Sequence, residues 1–355
     1  MTTVEFFAKE RVYVLCVIFI LACNIMAMFA KRAEAPIGEK TGARAQALSE
    51  KTGEHVSDEN MTAGRLRQAM KKRAGPMLLV NSTGIFILLA FSVGFIVDIY
   101  FIMTRPGGRV FLESGPWKPA VAWSMIDVVR VAVLFMFFGY VLVFIESALS
   151  EVFPVLKNSH AKMMINSSVL DICAVIFIIQ FTVVRYKEPW SALGVSMKSF
   201  SRNVFYGILG YVASIPIFIS VIIVVYTILR MAQFDPPRQP VVSLFLKETN
   251  TNFLIYSSLF AAVVGPFIEE LFFRAFLYGA VKKKIGIVRA MFITSVLFAL
   301  LHANIVGFFP ILALGMILAY LYEKTGTLVA PITVHVCHNL TMLYLVFVAR
   351  QIGSI

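Results

Sequence analysis

Apolar runs long enough to cross a lipid bilayer follow one another along most of this chain. A helix needs about 20 predominantly apolar residues to span the hydrocarbon core of a membrane. The sequence therefore predicts an all-α protein, a polytopic transmembrane helical bundle of about eight or nine spans. The candidate helices cover residues 12–29, 77–103, 120–145, 165–184, 204–229, 253–280, 288–303, 308–322 and 328–348.

Composition indicates an integral membrane protein and argues against a nucleic-acid partner. Hydrophobic residues make up 59% of the 355 residues and charged residues only 15%. The net charge of +12 comes mostly from Lys and Arg between the spans, where these residues set orientation and contact anionic headgroups. We therefore expect the lipid bilayer as a partner. The four cysteines lie in apolar runs without metal-type spacing, so neither disulfides nor a thiolate metal site is predicted.

The spans and loops divide the chain into four parts. Residues 1–30 form an N-terminal apolar segment, either a signal anchor or plain helix, or a signal peptide that is cleaved or lipidated. Residues 31–76 form a polar loop, which is too highly charged to bury a core and contains at most short surface helices. Residues 77–184 add further transmembrane helices, and residues 185–355 form the C-terminal core.

Four ionisable side chains lie in the predicted spans before this core. Because charged groups are costly at membrane depth, each is a candidate functional residue. Asp127 and Arg130 lie three residues apart on one helix face and can neutralise each other, which favours a structural pair. Asp98 and Asp171 each lie near the end of a predicted span, where a carboxylate can reach the interface.

Three polar motifs interrupt the last apolar runs. Glu270 and Arg274 are four residues apart on a helix, so the guanidinium can neutralise this carboxylate. Glu269 is rotated by about 100° from Glu270 and is left for another partner. The motifs are EELFFR with Glu269, Glu270 and Arg274, FALLH with Phe298 and His302, and HVCHN with His335, His338 and Asn339.

The rise of a helix places the motifs at similar depths. At about 1.5 Å per residue, Glu269 and His302 each lie about 20 Å from the basic turn between their helices. His335 and Asn339 share a helix face and lie about 16 and 22 Å from the next loop on that side. A carboxylate, two imidazoles and an amide can activate water and stabilise an oxyanion. A hydrolytic site is favoured over interhelical hydrogen bonds that only hold the bundle together.

In these motifs the sequence resembles the CPBP intramembrane proteases, also called the CAAX protease and bacteriocin-processing (Abi) family. The family motifs EExxxR, FxxxH and HxxxN/D occur in order at residues 269–274, 298–302 and 335–339. The resemblance covers about residues 250–345. It implies that residues 185–355 are a CPBP-like intramembrane protease core and that the protein lies in a bacterial cytoplasmic (inner) membrane.

The resemblance also implies roles for the motif residues in an endopeptidase that cleaves a membrane-associated peptide or protein. Glu269 would be the catalytic base and would orient water together with His302. His335 and Asn339 would stabilise the oxyanion. The supporting residues would be Glu270, Arg274, Phe298 and His338.

Two other classes of function and one cofactor stay open. An ion-coupled transporter could use Asp98, Asp127, Arg130 and Asp171 as relay groups, although no inverted repeat is visible. A non-catalytic scaffold or immunity protein would tolerate substitution of Glu269. No metal is favoured, because the amide of Asn339 suits an oxyanion better than zinc. If the protein is metal-dependent, zinc would be held by Glu269, His302 and His335.

Overall fold

The computed structural model describes residues 9–33, 63–104, 121–236 and 240–353. Most of these residues lie in helices, short irregular segments connect the helices, and none of the described residues lies in a strand. Eight helices in the described part are long and apolar enough to cross a membrane. The predicted polytopic helical bundle is confirmed, and the chain is an integral membrane protein.

The chain falls into two compact units, Met1–Leu78 and Leu79–Ile355. The first contains helix α1 and the start of α2, and the second contains the rest of α2 and all later helices. The helices are α1 Arg11–Ala33, α2 Ala63–Thr104, α3 Met125–Leu149, α4 Ser159–Ile179, α5 Phe200–Met231, α6 Pro240–Lys247, α7 Thr251–Ile285, α8 Ile287–Leu301, α9 Phe308–Thr325 and α10 Val329–Gly353.

Two predicted segments differ in length from the observed elements. The span predicted over residues 288–303 is helix α8, which has 15 residues and is shorter than the eight long helices. Of the predicted polar loop, residues 34–62 lie outside the described residues. Helix α2 already begins at Ala63, so the end of that loop is the start of a long helix.

Helix α7 contains two wide turns of π type, over Phe260–Val264 and Leu271–Leu277. They flank the short α-helical segment Gly265–Glu270, which carries both glutamates of the first motif. Wide turns of this kind leave backbone carbonyls without their usual donors and often occur at functional sites. In the second turn, Trp123 supplies such a donor, because its Nε1 donates to the Phe276 carbonyl at 2.8 Å.

Close approach of helices holds the elements around the motifs together. A Cβ atom at Gly207 of α5 would lie 2.8 Å from the Ala330 carbonyl of α10. A Cβ atom at Gly315 of α9 would lie 2.9 Å from Cβ of Ser295 on α8. Only glycine permits these contacts, and small residues let membrane helices pack this closely. The two glycines thus fix the neighbours of the second and third motifs.

An ion pair fixes the opposite end of α7 to α9. Lys282 Nζ lies 2.6 Å from Glu323 Oε1, and Tyr278 Oη donates to Glu323 Oε2 at 2.8 Å. The pair lies next to the basic turn between α7 and α8. It anchors α7 at a level that the sequence assigns to the membrane interface.

Asp127 and Arg130 form the ion pair that their spacing predicts. Arg130 Nη1 donates to Asp127 Oδ1 at 2.6 Å, and both side chains are buried. The other carboxylate oxygen accepts bonds from Ser124 and from Tyr186 Oη. Because these partners occupy the carboxylate, a transporter relay through Asp127 gains no support.

The two remaining carboxylates of the early spans lie at different depths. Asp98 lies in the last two turns of α2, near a helix end as predicted. Helix α4 begins at Ser159, six residues before its predicted start, because the Asn158 side chain caps it by accepting from the amides of His160 and Ala161. The span continues to Arg185. Asp171 therefore lies in the middle of its span, and its predicted position near a span end is wrong.

Candidate active site

The three motifs meet around one carboxylate oxygen of Glu269. Its Oε2 atom lies 4.0 Å from His302 Nε2 and 3.7 Å from His335 Nε2. The Glu269 side chain is 38% exposed, but Oε2 is shielded and has no hydrogen-bond partner in the described part of the chain. Helix α7, the end of α8 and the second turn of α10 thus bring together three of the predicted site residues.

Hydrogen bonds fix which nitrogen of each imidazole faces Glu269. His302 Nδ1 lies 2.7 Å from the Phe298 carbonyl, which can only accept, so Nδ1 carries the proton. His335 Nδ1 lies 2.9 Å from Glu270 Oε1 and donates to that carboxylate. In both rings the Nε2 atom is left to face Glu269. A neutral ring presents a lone pair there, and a protonated ring presents an N–H.

Glu270 and Arg274 form the buried pair that their spacing predicts. Arg274 Nε lies 3.0 Å from Glu270 Oε2, and the two side chains are 2% and 0% exposed. The guanidinium also donates to the Gly315 carbonyl at 3.4 Å. Since Glu270 holds His335 through its other oxygen, the pair both neutralises a buried charge and orients an imidazole.

Phe298 lies at the centre of these side chains and is fully buried. Its ring centroid lies 4.7 Å from that of His302 and 5.7 Å from that of His335, both in edge-to-face contact. The Arg274 guanidinium lies 4.4 Å above the Phe298 ring, a distance suited to a cation–π contact. Phe298 therefore restricts the rotation of both imidazoles and covers the Arg274 guanidinium.

Asn339 makes a backbone contact that the sequence did not indicate. Its Nδ2 atom donates to the Ala261 carbonyl at 2.9 Å. Ala261 lies in the first wide turn of α7, in which the residue five positions later would normally supply the donor. That residue is Pro266, which has no N–H. Asn339 replaces the missing donor and ties α10 to α7.

We expect Asn339→Ala to lower the free energy of unfolding by about 0.5–1.5 kcal/mol, because a partly buried carbonyl loses its donor. Pro266→Ala restores an N–H in the register of the wide turn. The cost of Asn339→Ala should therefore be smaller in a Pro266→Ala background. A double-mutant cycle on denaturation in detergent measures the difference. Equal costs in the two backgrounds would show that Asn339 does not replace the missing donor.

His338 points toward α5 rather than toward Glu269. Its ring centroid lies 5.1 Å from that of Phe218 and 6.4 Å from that of Tyr211. Its Nδ1 atom is buried and has no hydrogen-bond partner among the residues described. His338, whose role in the third motif the sequence left open, thus packs against the aromatic side chains of α5.

A cavity of about 680 Å³ contains the exposed face of the site. This volume is within the usual range for ligand pockets. Glu269, His302, His335, His338 and Asn339 line it, together with Asp171. Sequence reasoning missed Asp171 as a neighbour of the motifs. The capping residue Asn158, which sets the start of α4, is the signal that could have revealed its depth.

The side chains of Glu269, His302 and His335 are spaced more widely than the ligands of a bound zinc ion. Tetrahedral zinc with bonds of about 2.0–2.1 Å sets its ligand atoms about 3.4 Å apart. The distances from Glu269 Oε2 to the two imidazoles are 3.7 and 4.0 Å. No group of three or more His, Cys, Asp or Glu residues within the described ranges is arranged to hold a metal ion.

Comparisons with known proteins find similarity in the part of the chain that contains these motifs. The family model described as "Type II CAAX prenyl endopeptidase Rce1-like" matches residues 251–341. The chain is 34% identical over 79 residues to a Bacillus subtilis protein named "Putative membrane peptidase YdiL", a match that covers 22% of this chain and 32% of that protein. It is 35% identical over 80 residues to the "UPF0177 protein YxdF" of Lactococcus lactis subsp. lactis, covering 22% and 43%.

The matches are confined to part of each protein. The chain spans less than half the length of either curated relative, and no solved structure matches it significantly. The matched segment runs from the start of α7 into α10 and contains all three motifs. Over residues 251–341, the chain is thus similar to the CAAX-type membrane proteases.

Proposed function

We propose that this protein is an intramembrane endopeptidase that hydrolyses a peptide bond in a membrane-associated peptide or protein. The observation that carries the proposal is the convergence of His302 Nε2 and His335 Nε2 on Glu269 Oε2, at 4.0 and 3.7 Å, inside a cavity. The names of the matching family and of one relative, an endopeptidase and a membrane peptidase, support this reaction class.

Glu269 and His302 have the spacing needed to hold the attacking water. Their facing atoms are too far apart for a direct hydrogen bond, but one water can donate to two acceptors about 4 Å apart through bonds of about 2.8 Å. His302 keeps its proton on Nδ1, so Nε2 is available as an acceptor. Glu269 then takes a proton from the water as its oxygen attacks the carbonyl carbon of the substrate.

His335 and Asn339 are the donors for the oxyanion. His335 in its doubly protonated form keeps Nδ1–H on Glu270 and offers Nε2–H to the cavity. The amide of Asn339 has a second N–H besides the one that it gives to Ala261. Both residues line the cavity. They stabilise the negative charge that develops on the substrate oxygen.

The proton held by Glu269 completes the reaction. When the tetrahedral intermediate collapses, the carbon–nitrogen bond breaks and the leaving nitrogen takes this proton. The second product then leaves as an amine. Glu269 returns to the carboxylate form. Because its side chain is partly exposed, Glu269 can both accept a proton from water and donate it to the leaving nitrogen. The fully buried Glu270 keeps the His335 imidazole in place.

The proposal is tested by comparing membrane-associated peptides from cells that express the wild type or the Glu269→Gln variant. New peptide termini that require the wild type identify substrates and the bond that is cleaved. The proposal fails if the two sets of termini are the same in cells that contain equal amounts of both proteins.

Removal of metal is expected to leave cleavage unchanged, because Glu269 and His302 hold water without a Lewis acid in this mechanism. The measurement is the cleavage rate before and after exhaustive chelation, with elemental analysis of the purified protein. A metal content close to one ion per chain, with activity lost on chelation and restored by zinc, would contradict it. Glu269, His302 and His335 would then be assigned as ligands.

A further inference from the structure

Asp171 is a carboxylate without a partner at membrane depth. It lies in the middle of the α4 span and lines the same cavity as Glu269. It has no hydrogen bond or ion pair with any residue that the structure describes. A carboxylate in this position is costly unless another group compensates it, so ionisable residues at membrane depth mark binding or reaction sites. The cavity is the space from which a bound group could compensate it.

The cavity offers this carboxylate no permanent cation. Besides the three histidines, its lining includes two acidic side chains, Asp171 and Glu269, and no Lys or Arg among the described residues. Arg274 lies behind Phe298 and is paired with Glu270. A bound cation is therefore favoured in the cavity, and a bound carboxylate is disfavoured.

The remaining walls are apolar and suit the stem of a basic side chain. Aromatic and aliphatic residues of four helices line them, namely Phe135, Leu170, Phe218, Ile222, Tyr226 and Phe245. Lys and Arg side chains lay their methylene stems along apolar surface while the charged head reaches a polar group. The cavity thus combines an apolar path, one free carboxylate and the site of the proposed cleavage.

We propose that Asp171 binds a Lys or Arg side chain of the substrate close to the scissile bond and selects substrates for a basic residue there. The proposal rests on the endopeptidase function proposed above. The carboxylate accepts charge-assisted hydrogen bonds from the ammonium or guanidinium group. Asp171 acts in substrate selection, whereas Glu269 acts in the chemical step.

The test uses the purified full-length protein in lipid nanodiscs and quenched fluorescent apolar peptides in which one position at a time is Lys, Gln or Glu. Mass spectrometry identifies the cleaved bond. At one position near that bond, we expect kcat/KM to be about tenfold or more higher for Lys than for Gln. Asp171→Asn should bring this ratio close to one, and Asp171→Lys should shift the preference to Glu. Asp98→Asn, which changes a membrane carboxylate outside the cavity lining, should leave the ratio unchanged.

Two results would overturn the selection role. One is an unchanged Lys/Gln ratio in a folded Asp171→Asn protein. The other is that the wild type shows no preference for a basic residue and that Asp171→Asn lowers the cleavage of all peptides equally. This result would place Asp171 in the chemical step.

Peptide binding to the inactive Glu269→Gln variant separates this proposal from the proposed function. Fluorescence anisotropy should show tighter binding of the Lys peptide than of the Gln peptide, and the added change Asp171→Asn should remove the difference. If no peptide is cleaved in a Glu269-dependent manner, the endopeptidase function fails. The binding comparison then still decides whether Asp171 holds a cation.

Discussion

Replacing Glu269 with Gln should lower kcat for peptide cleavage by about 10²–10⁴-fold. The amide keeps the shape of the side chain but cannot take a proton from water. KM should change little, because the cavity walls stay in place. The measurement is single-turnover cleavage by purified wild type and variant, on a peptide that the wild type processes, together with thermal unfolding of both proteins.

A matched carboxylate outside the site provides the control for this variant. Glu151 is 82% exposed at its side chain, so Glu151→Gln should retain full activity. Cleavage at the wild-type rate by a folded Glu269→Gln protein would remove the catalytic role of Glu269. It would favour the scaffold or immunity function instead.

Replacing Arg274 with Ala should destabilise the protein by about 3–5 kcal/mol, the usual cost of removing one partner of a buried ion pair. Glu270 would be left fully buried without a cation, next to His335. Cleavage should fall as well, because Glu270 orients that imidazole. Denaturation in detergent, followed by intrinsic fluorescence, measures the loss of stability.

Two comparisons show whether the pairing is the cause. The double variant Glu270→Gln with Arg274→Gln removes both charges and should recover part of the lost stability. Lys282→Ala breaks a partly exposed ion pair with Glu323, whose solvent screening should make the cost smaller than that of Arg274→Ala. If the double variant unfolds as easily as Arg274→Ala alone, the charge pairing does not explain the loss.

The contacts that depend only on helix period and rise could be predicted from the sequence. The i,i+4 spacing of Glu270 and Arg274 predicts their ion pair, and equal distances from a shared basic turn place Glu269 and His302 at one depth. These apolar runs contain so few polar residues that each polar side chain has few possible partners. The catalytic roles of the same residues remain predictions.

Two other features depend on local backbone geometry that hydrophobic patterning does not encode. The wide turn that leaves the Ala261 carbonyl for Asn339 lies in a run of apolar residues, where a change of helix register alters no pattern. The depth of Asp171 depends on where α4 begins, and the cap at Asn158 decides that, not the start of the apolar run. The missed contact and the wrong position of Asp171 both concern where groups lie along a helix rather than whether the helix exists.

The length of helix α8 governs how the second reactant, water, reaches the site. Its 15 residues measure about 22 Å, against about 30 Å for the hydrocarbon core. Since α8 begins at the basic turn, its other end, at His302, lies about 8 Å short of the opposite face of the hydrocarbon core. Hydrophobic mismatch of this kind thins the surrounding bilayer. We expect the aqueous phase to dip toward Glu269 there, so hydrolysis needs no water molecule drawn through the full thickness of lipid.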